Sequence, residues 1–173
     1  MIAPAKPNQG WALDFLSELV LNDTGSWYRV LNVVDECSRR CLWLSAEKSI
    51  TADKVVEVLE KLVAMRGKPA YIRTDNGPEY ISQVLAQWAD KNGIEQRHIQ
   101  PGKPTQNGII ERLNGTLRRE CLNLHWFKTK AELDKYLEKW FIAYNFNRPH
   151  SSLQFLTPVQ FENNFFSTFN LVA

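Results

Sequence analysis

The stretch Trp11–Leu16, which reads Trp-Ala-Leu-Asp-Phe-Leu, places one carboxylate inside an apolar strand pattern. Trp11, Leu13 and Phe15 fall on one face of such a strand, and Asp14 falls on the opposite face. A charge within an apolar strand destabilises a fold unless a partner or a ligand compensates for it. The stretch therefore predicts a strand that holds Asp14 as a candidate functional residue.

Two more apolar runs follow this strand along the chain. The segment Asn22-Asp-Thr-Gly25 is typical of a turn. The runs Tyr28–Val34 and Cys41–Ala46 then predict a second and a third strand. Three consecutive strands with short connections favour an antiparallel meander.

The rest of the chain alternates between helical and strand patterns. These patterns predict a helix from Ser49 or Thr51 to Gly67, the strand Ala70–Arg73, a helix around Leu85 and Trp88, the strand Glu95–Ile99, the helix Ile109–Leu122 and a helix after the capping box Thr129–Glu132. This order predicts an α/β domain at residues 10–146, with a mixed five-stranded sheet flanked by helices. Residues 1–9 are expected to form a tail or a linker stub, and residues 147–173 a C-terminal extension with partial order.

The composition excludes several classes of protein. The 173 residues are 44% hydrophobic and 23% charged, which is typical of a globular domain and not of a disordered chain. No apolar run approaches the ~18 residues that a membrane-spanning helix needs. Three cysteines are too few for a disulfide scaffold, and their spacing to the histidines does not resemble a zinc finger. We therefore expect a reducing, cytoplasmic setting.

Positive charge is concentrated in one segment of the sequence. The whole chain has a net charge of +2, but Arg97–Lys130 contains seven basic and two acidic side chains. Such a block favours a surface that faces a polyanion, and a solvated helix face without a partner is the alternative.

Two further carboxylates lie in longer motifs. Asp75 lies in Thr-Asp-Asn-Gly-Pro-Glu-Tyr, just past the fourth predicted strand, and Glu111 lies in Lys-Pro-Thr-Gln-Asn-Gly-Ile-Ile-Glu-Arg-Leu-Asn-Gly, with thirty-five residues between the two acids. Together with Asp14 and with Tyr-Asn-Phe-Asn-Arg-Pro-His-Ser-Ser-Leu from Tyr144, these blocks resemble the catalytic core of DDE transposases and retroviral integrases. The likeness is greatest to bacterial insertion-sequence transposases of the orfB type, and it covers roughly residues 8–162.

The resemblance implies a ribonuclease-H-like fold and metal-dependent chemistry on DNA. The reaction would be nicking at a transposon end, followed by strand transfer into a target. Asp14, Asp75 and Glu111 would be the catalytic residues and would bind two Mg²⁺ ions, for which Mn²⁺ could substitute, with Asp14 shared between the two ions. Carboxylate oxygens suit Mg²⁺, and two such ions can hold the attacking and leaving oxygens of a phosphodiester in line.

We expect DNA contacts from the loop at residues 100–108 and from the helix that carries Glu111. The predicted DNA-binding residues are Lys103, Thr105, Gln106, Asn107, Asn114, Arg118 and Arg119. Asn114 and Arg118 follow Glu111 at helical spacing, so they share its face, although solvated polar residues would show the same pattern. For Asn76 and Glu79 we expect structural roles, with Glu79 as an acid at a helix start.

The resemblance also implies partners. They are double-stranded DNA, as transposon ends and target, and further copies of the chain in a homo-oligomer. A separate N-terminal helix-turn-helix region that reads the transposon ends is expected in such proteins and is absent from these residues. Two alternatives stay open: a catalytically silent DNA-binding or assembly module, and another ribonuclease-H-like nuclease such as an RNA-strand hydrolase.

Overall fold

The computed structural model of the protein describes residues 4–19, 25–100, 102 and 104–170. Five strands form one sheet: β1 (Gly10–Leu19), β2 (Trp27–Asp35), β3 (Cys41–Glu47), β4 (Tyr71–Thr74) and β5 (Glu95–His98). Five α-helices accompany them: α1 (Ala52–Arg66), α2 (Gln83–Asn92), α3 (Gly108–Glu120), α4 (Lys130–Ile142) and α5 (Pro158–Asn170). No helix among the described residues is both long and apolar enough to cross a membrane.

The sheet is mixed, as predicted, and its strand order is β3-β2-β1-β4-β5. The strands β1, β2 and β3 form the predicted antiparallel meander. The strand β4 pairs with β1 in parallel, and β5 pairs with β4 in parallel. Residues 22–24 of the predicted turn between β1 and β2 lie outside the described residues.

The alternation along β1 divides the hydrophobic core into two layers. Trp11 and Leu13 are buried in the layer that contains α1 and α2. Ala12 and Leu16 are buried in the opposite layer with α3 and α4. Asp14 shares the face of Ala12 and Leu16, so the strand pattern directs its carboxylate towards α3.

Helix starts follow the capping residues closely. Thr51 caps α1 by accepting a hydrogen bond from the Lys54 N–H at 3.4 Å, which decides between the two predicted starts. Thr129 caps α4 by accepting one from the Glu132 N–H at 3.2 Å, as the capping-box pattern predicts. The helix α3 is shorter than predicted because the chain tightens into a 3₁₀ turn at Leu122–Leu124.

After residue 147, where the sequence predicts a C-terminal extension with partial order, the described residues include a helix. The helix α5 lies in this segment, and its Glu162 is buried. The Glu162 carboxylate accepts hydrogen bonds from the Ser38 hydroxyl at 2.8 Å, Arg40 at 2.5 Å and Arg66 at 2.7 Å. This buried ion-pair network joins α5 to the sheet and to α1.

The end of the predicted N-terminal stub is also part of the folded domain. The backbone N–H of Asn8 donates to Asp35 Oδ2 at 2.6 Å. The side-chain Oδ1 of Asn8 accepts a hydrogen bond from the Trp11 indole at 3.0 Å. The Asn8 amide donates in turn to the Arg66 carbonyl at 2.9 Å. Asn8 therefore links the start of β1 to the end of α1.

Candidate active site

Asp14 and Asp75 come together because of the parallel pairing of β1 and β4. The register pairs Ala12 with Arg73, so each acid lies two residues beyond that pair, at the same edge of the sheet. The first turn of α3 adds Glu111, which is exposed. The charges of Asp75 and Glu111 both act on Asp14, although the three acids are distant in sequence.

Asp14 is partly buried and has two hydrogen-bond donors. Its Oδ1 accepts from the Phe15 N–H at 2.8 Å, and its Oδ2 accepts from the Asn114 side-chain amide at 2.7 Å. The pKa of Asp14 is raised to about 6, chiefly by burial and further by the charges of Asp75 and Glu111. The two hydrogen bonds lower the pKa, but each by less than burial raises it. The two hydrogen bonds thus hold the Asp14 carboxylate in one orientation but do not outweigh the effects of its burial and of the neighbouring charges.

Asn114 and Asn32 form a short chain of amides behind Asp14. The Asn32 amide donates to Asn114 Oδ1 at 2.6 Å, and Asn114 donates to Asp14. Both residues are buried, so Asn114 does not lie on an exposed face as the helical spacing suggested. Asn32 was missed by sequence reasoning, although it lies directly opposite Asp14 in the strand register.

Asp75 is held by the turn that follows β4. Its Oδ1 accepts a hydrogen bond from the Gly77 N–H at 2.8 Å. A Cβ atom at Gly77 would lie only 3.0 Å from that oxygen, so a larger residue would crowd the carboxylate. Asn76 has the expected structural role, because its amide donates to the Ile99 carbonyl at 2.9 Å and joins this turn to the end of β5.

Glu79 does not begin a helix as expected. It forms an ion pair with Arg29, whose guanidinium lies 4.2 Å from the centre of the Phe15 ring. The helix α2 begins only at Gln83, with Ser82 as its cap.

Tyr80 is a neighbour of the site that sequence reasoning missed. Its ring stacks on Phe15 with centroids 4.8 Å apart, and its buried hydroxyl has no hydrogen-bond partner among the described residues. Burial, with added repulsion from the charges of Asp14 and Asp75, raises its pKa well above the usual range. Sequence reasoning could have identified Tyr80 as a neighbour of the site, because it lies in the same motif as Asp75.

The predicted DNA-binding residues fall into two groups. Arg118 and Arg119 are exposed on α3, as a surface for phosphates requires. The Gln106 side chain instead accepts a hydrogen bond from the Gln100 N–H at 3.0 Å, and Asn107 is buried. Lys103 lies outside the described residues, as does the side chain of Thr105. DNA contact by these residues stays a prediction.

The three carboxylates fit a magnesium site by their chemistry. They supply hard oxygen ligands, and a cation would relieve the raised pKa of Asp14. No three metal-ligating side chains among the described residues are grouped tightly enough to hold one ion together. Mg²⁺ commonly keeps several waters and binds to one or two carboxylates, so a magnesium site does not require three protein ligands.

The raised pKa of Asp14 predicts a pH dependence of stability. Its folded-state pKa of about 6 exceeds the ordinary 3.8, so the folded protein holds the proton more tightly than the unfolded chain. This stabilisation is complete below pH 3.8 and is lost as the pH rises through about 6. Without divalent metal, the free energy of unfolding of the wild type should fall by up to about 3 kcal/mol relative to that of Asp14→Asn between these two pH limits.

Urea unfolding in a chelating buffer at several pH values measures this difference. Asp90→Asn, at an exposed position of α2, is the matched control and should follow the wild type. Parallel stability curves for wild type and Asp14→Asn would contradict the prediction.

Comparison with known proteins identifies family models and relatives that the chain resembles. An "Integrase core domain" family model matches residues 4–104, which is more than half of the chain, and a second model of the same description matches residues 92–158. A protein of insertion element IS407 from Burkholderia multivorans is 40% identical over 91% of this chain and 56% of its own length. A protein of IS476 from Xanthomonas euvesicatoria is 38% identical over 95% of this chain and 47% of its own length. The chain thus spans about half the length of these relatives.

Solved structures confirm the ribonuclease-H-like fold. The catalytic core domain of the HTLV-2 integrase, solved with magnesium in a dimeric form, aligns with a TM-score of 0.67 at 23% identity over 91% of this chain and 98% of that one. A chain of the simian T-cell lymphotropic virus intasome aligns with a TM-score of 0.79 at 23% identity, over 94% of this chain and 56% of that one. The sequence matches and the shared fold agree, and the chain therefore belongs to the integrase core domain family.

Proposed function

We propose that the chain is the catalytic core of a DNA transposase, which nicks DNA at the end of a mobile element and joins that end to a target. The observation that carries the proposal is the state of Asp14: a partly buried carboxylate, oriented by Phe15 and Asn114, whose pKa is raised by burial and by two neighbouring acids. Groups with such perturbed pKa values cluster at functional sites. A silent assembly module would gain nothing from this arrangement.

In this proposal Asp14, Asp75 and Glu111 hold two Mg²⁺ ions, and Mn²⁺ can replace them. When bound, the ions would supply charge stabilisation for the attacking and leaving oxygens of a phosphodiester. Asn114 keeps the Asp14 carboxylate in one orientation, and the Gly77 N–H does the same for Asp75. Such fixed ligands reduce the reorganisation that the reaction requires.

The proposed reaction has two steps of the same kind. Water first attacks a phosphodiester at the element end, and one P–O bond breaks to release a 3′-hydroxyl. That hydroxyl then attacks a phosphodiester of the target, so one P–O bond forms as another breaks. Neither step needs a covalent link to the protein, and no nucleophilic side chain is therefore required.

The test combines metal titration with a nicking assay on the same samples. Calorimetric titration of Mg²⁺ or Mn²⁺ should show saturable binding, and Mn²⁺ should support nicking of supercoiled plasmid. Metal binding together with nicking of DNA but not of the RNA strand of a hybrid supports a transposase core over an RNA-strand hydrolase. Absence of both binding and nicking would favour a silent module.

Metal binding should also stabilise the folded chain. Because only the folded chain has the assembled site that binds the cation, millimolar Mg²⁺ is expected to raise the melting temperature at pH 7.5. Glu111→Gln should reduce this increase. A melting temperature that does not respond to Mg²⁺ or Mn²⁺ would count against an assembled site.

DNA binding by Arg118 and Arg119 predicts a steep dependence on salt. Each phosphate contact releases a counterion, so Arg119→Gln should weaken duplex binding and lower the slope of log affinity against log salt by about 1. Fluorescence anisotropy with a labelled duplex measures the slope. Lys91→Gln removes one exposed charge from α2 and serves as the control. An unchanged slope for Arg119→Gln would remove this residue from the DNA-contacting surface.

We also infer that the chain self-associates. The strand β3 is an edge of the sheet, and a groove of about 1000 Å³ lies between it, α1 and α4. Edge strands with apolar surroundings are surfaces that a second chain can cover. Sedimentation velocity should show a dimer at micromolar concentration, and a monomer at every concentration tested would contradict the inference.

A further inference from the structure

A second cavity lies on the side of α3 that faces away from Asp14. It has a volume of about 490 Å³, which is within the range of sites for small ligands. Arg112 and Thr116 line it from α3, and each lies two residues from Asn114, on the opposite face of the helix. The cavity is therefore separate from the three carboxylates.

The motif that begins at Tyr144 builds the other wall of this cavity. A π-helical turn, Ala143–Asn147, ends α4, and the Arg148 N–H closes it by donating to the Ala143 carbonyl at 2.9 Å. The chain then turns back, with Arg148 paired to Glu120 at the end of α3 and His150 bridged to Leu156. Such π-helical turns often occur at functional sites. The catalytic proposal assigns no role to this segment.

The cavity contains three guanidinium groups, from Arg39, Arg112 and Arg148, and we call it the arginine pocket. Arg148 has Glu120 as its partner, but neither Arg39 nor Arg112 has an ion pair among the described residues. The Arg39 guanidinium donates to the Glu36 backbone carbonyl. Arg39 is half-buried, whereas Arg112 is exposed. A partly buried cation without a carboxylate partner destabilises a fold, so an anion in the cavity would compensate for the charge of Arg39.

Glu36 and His150 also line the arginine pocket. The Glu36 carboxylate is already engaged, since it accepts hydrogen bonds from Arg73 at 2.7 Å and from the Tyr71 hydroxyl at 2.5 Å. The buried Nε2 atom of His150 has no partner among the described residues. Burial lowers the pKa of Arg39, and the nearby charge of Arg112 acts in the same direction, as two cations in one cavity require.

We propose that the arginine pocket is a binding site for a phosphate group. Planar guanidinium groups bind phosphate oxygens through paired hydrogen bonds, which makes arginine the preferred residue for this ligand. The hydroxyls of Ser151 and Ser152 line the same cavity and can donate further hydrogen bonds. The proposal concerns residues outside the candidate active site and does not depend on its chemistry.

The phosphate group can come from two sources. One is the backbone of a nucleic acid that crosses the first turn of α3, where Gly108 and Ile109 line the cavity beside Glu111. The other is a free phosphate compound such as a nucleotide. Both present the same oxygens, so the experiment is designed to separate them.

The first arm titrates inorganic phosphate into the protein, with chloride at equal ionic strength as the reference. We expect saturable binding by the wild type, and at least about a fivefold weaker affinity for Arg112→Gln, because a charge-assisted hydrogen bond is lost. Arg39→Gln is a second variant, and melting curves establish that each variant is folded. Lys91→Gln is the matched control and should bind phosphate like the wild type. Absence of saturable phosphate binding, or equal binding by wild type and both folded variants, would overturn the proposal.

The second arm measures duplex DNA binding by the same proteins over a range of salt concentrations. If Arg112→Gln weakens DNA binding about fivefold and lowers the salt slope by about 1, the phosphate is that of a nucleic acid. If phosphate binding falls while DNA binding is unchanged, the pocket holds a free phosphate compound. Neither arm requires nicking, so a failure of the catalytic proposal would be seen separately in the metal titration and the plasmid assay.

Discussion

The substitution Glu111→Gln is expected to lower Mn²⁺-dependent plasmid nicking by about 100-fold to 1,000-fold. A lost metal ligand removes several kcal/mol of transition-state stabilisation, and each factor of ten in rate corresponds to about 1.36 kcal/mol. Glutamine keeps the size of the side chain and its helix propensity. Because Glu111 is exposed in the first turn of α3, the folded structure should be retained.

The matched control for this substitution is Glu60→Gln. Glu60 is also an exposed helical glutamate, but it lies on α1. Nicking by this variant should equal that of the wild type, and its metal affinity should be unchanged in calorimetry. Equal nicking by wild type and Glu111→Gln would remove Glu111 from the catalytic set and refute the proposed reaction centre.

The substitution Glu162→Ala is expected to lower the free energy of unfolding by about 2–4 kcal/mol. Loss of this buried carboxylate leaves Arg40 and Arg66 without their anionic partner, and breaking a buried ion pair from one side is strongly destabilising. The Ser38 hydroxyl also loses its acceptor. Urea unfolding followed by tryptophan fluorescence measures the change.

The control is Glu57→Ala on α1, because Glu57 also pairs with two cations. Its partners Lys54 and Lys61 and the carboxylate itself are exposed, so solvent screens the interaction and no measurable change is expected. A loss of stability in Glu162→Ala that is no larger than that of the control would show that α5 does not dock on the sheet in solution.

Much of the fold could be predicted because local patterns and the buried layers agree. The alternation in β1 distributes Trp11 and Leu13 to one layer and Ala12 and Leu16 to the other, as the period of two requires. The caps Thr51 and Thr129 act within three residues of themselves, so their hydrogen bonds depend only on local sequence. The three acids could be named because each lies in a motif of its own.

Other features depend on contacts between residues that are far apart in the sequence. The amide pair Asn32–Asn114 spans two elements, and no local pattern marks Asn114 as buried, since its spacing from Glu111 equally fits an exposed helix face. The Glu162 carboxylate on α5 binds Ser38, Arg40 and Arg66, which are all distant in sequence. The sequence after residue 147 therefore contains no local indication that α5 would dock on the rest of the domain.

The amino-acid order alone was sufficient for the succession of strands and helices as far as α4 and for the side of the sheet that each residue of β1 faces, because these follow from short-range periodicity. It also allowed the three carboxylates to be proposed, because each lies in a contiguous motif. The tertiary structure was needed for the raised pKa of Asp14, the docking of α5 and the arginine pocket. Each of these arises from burial and charge in three dimensions, where Asp75 and Glu111 act on Asp14, and Arg39 lies near Arg112.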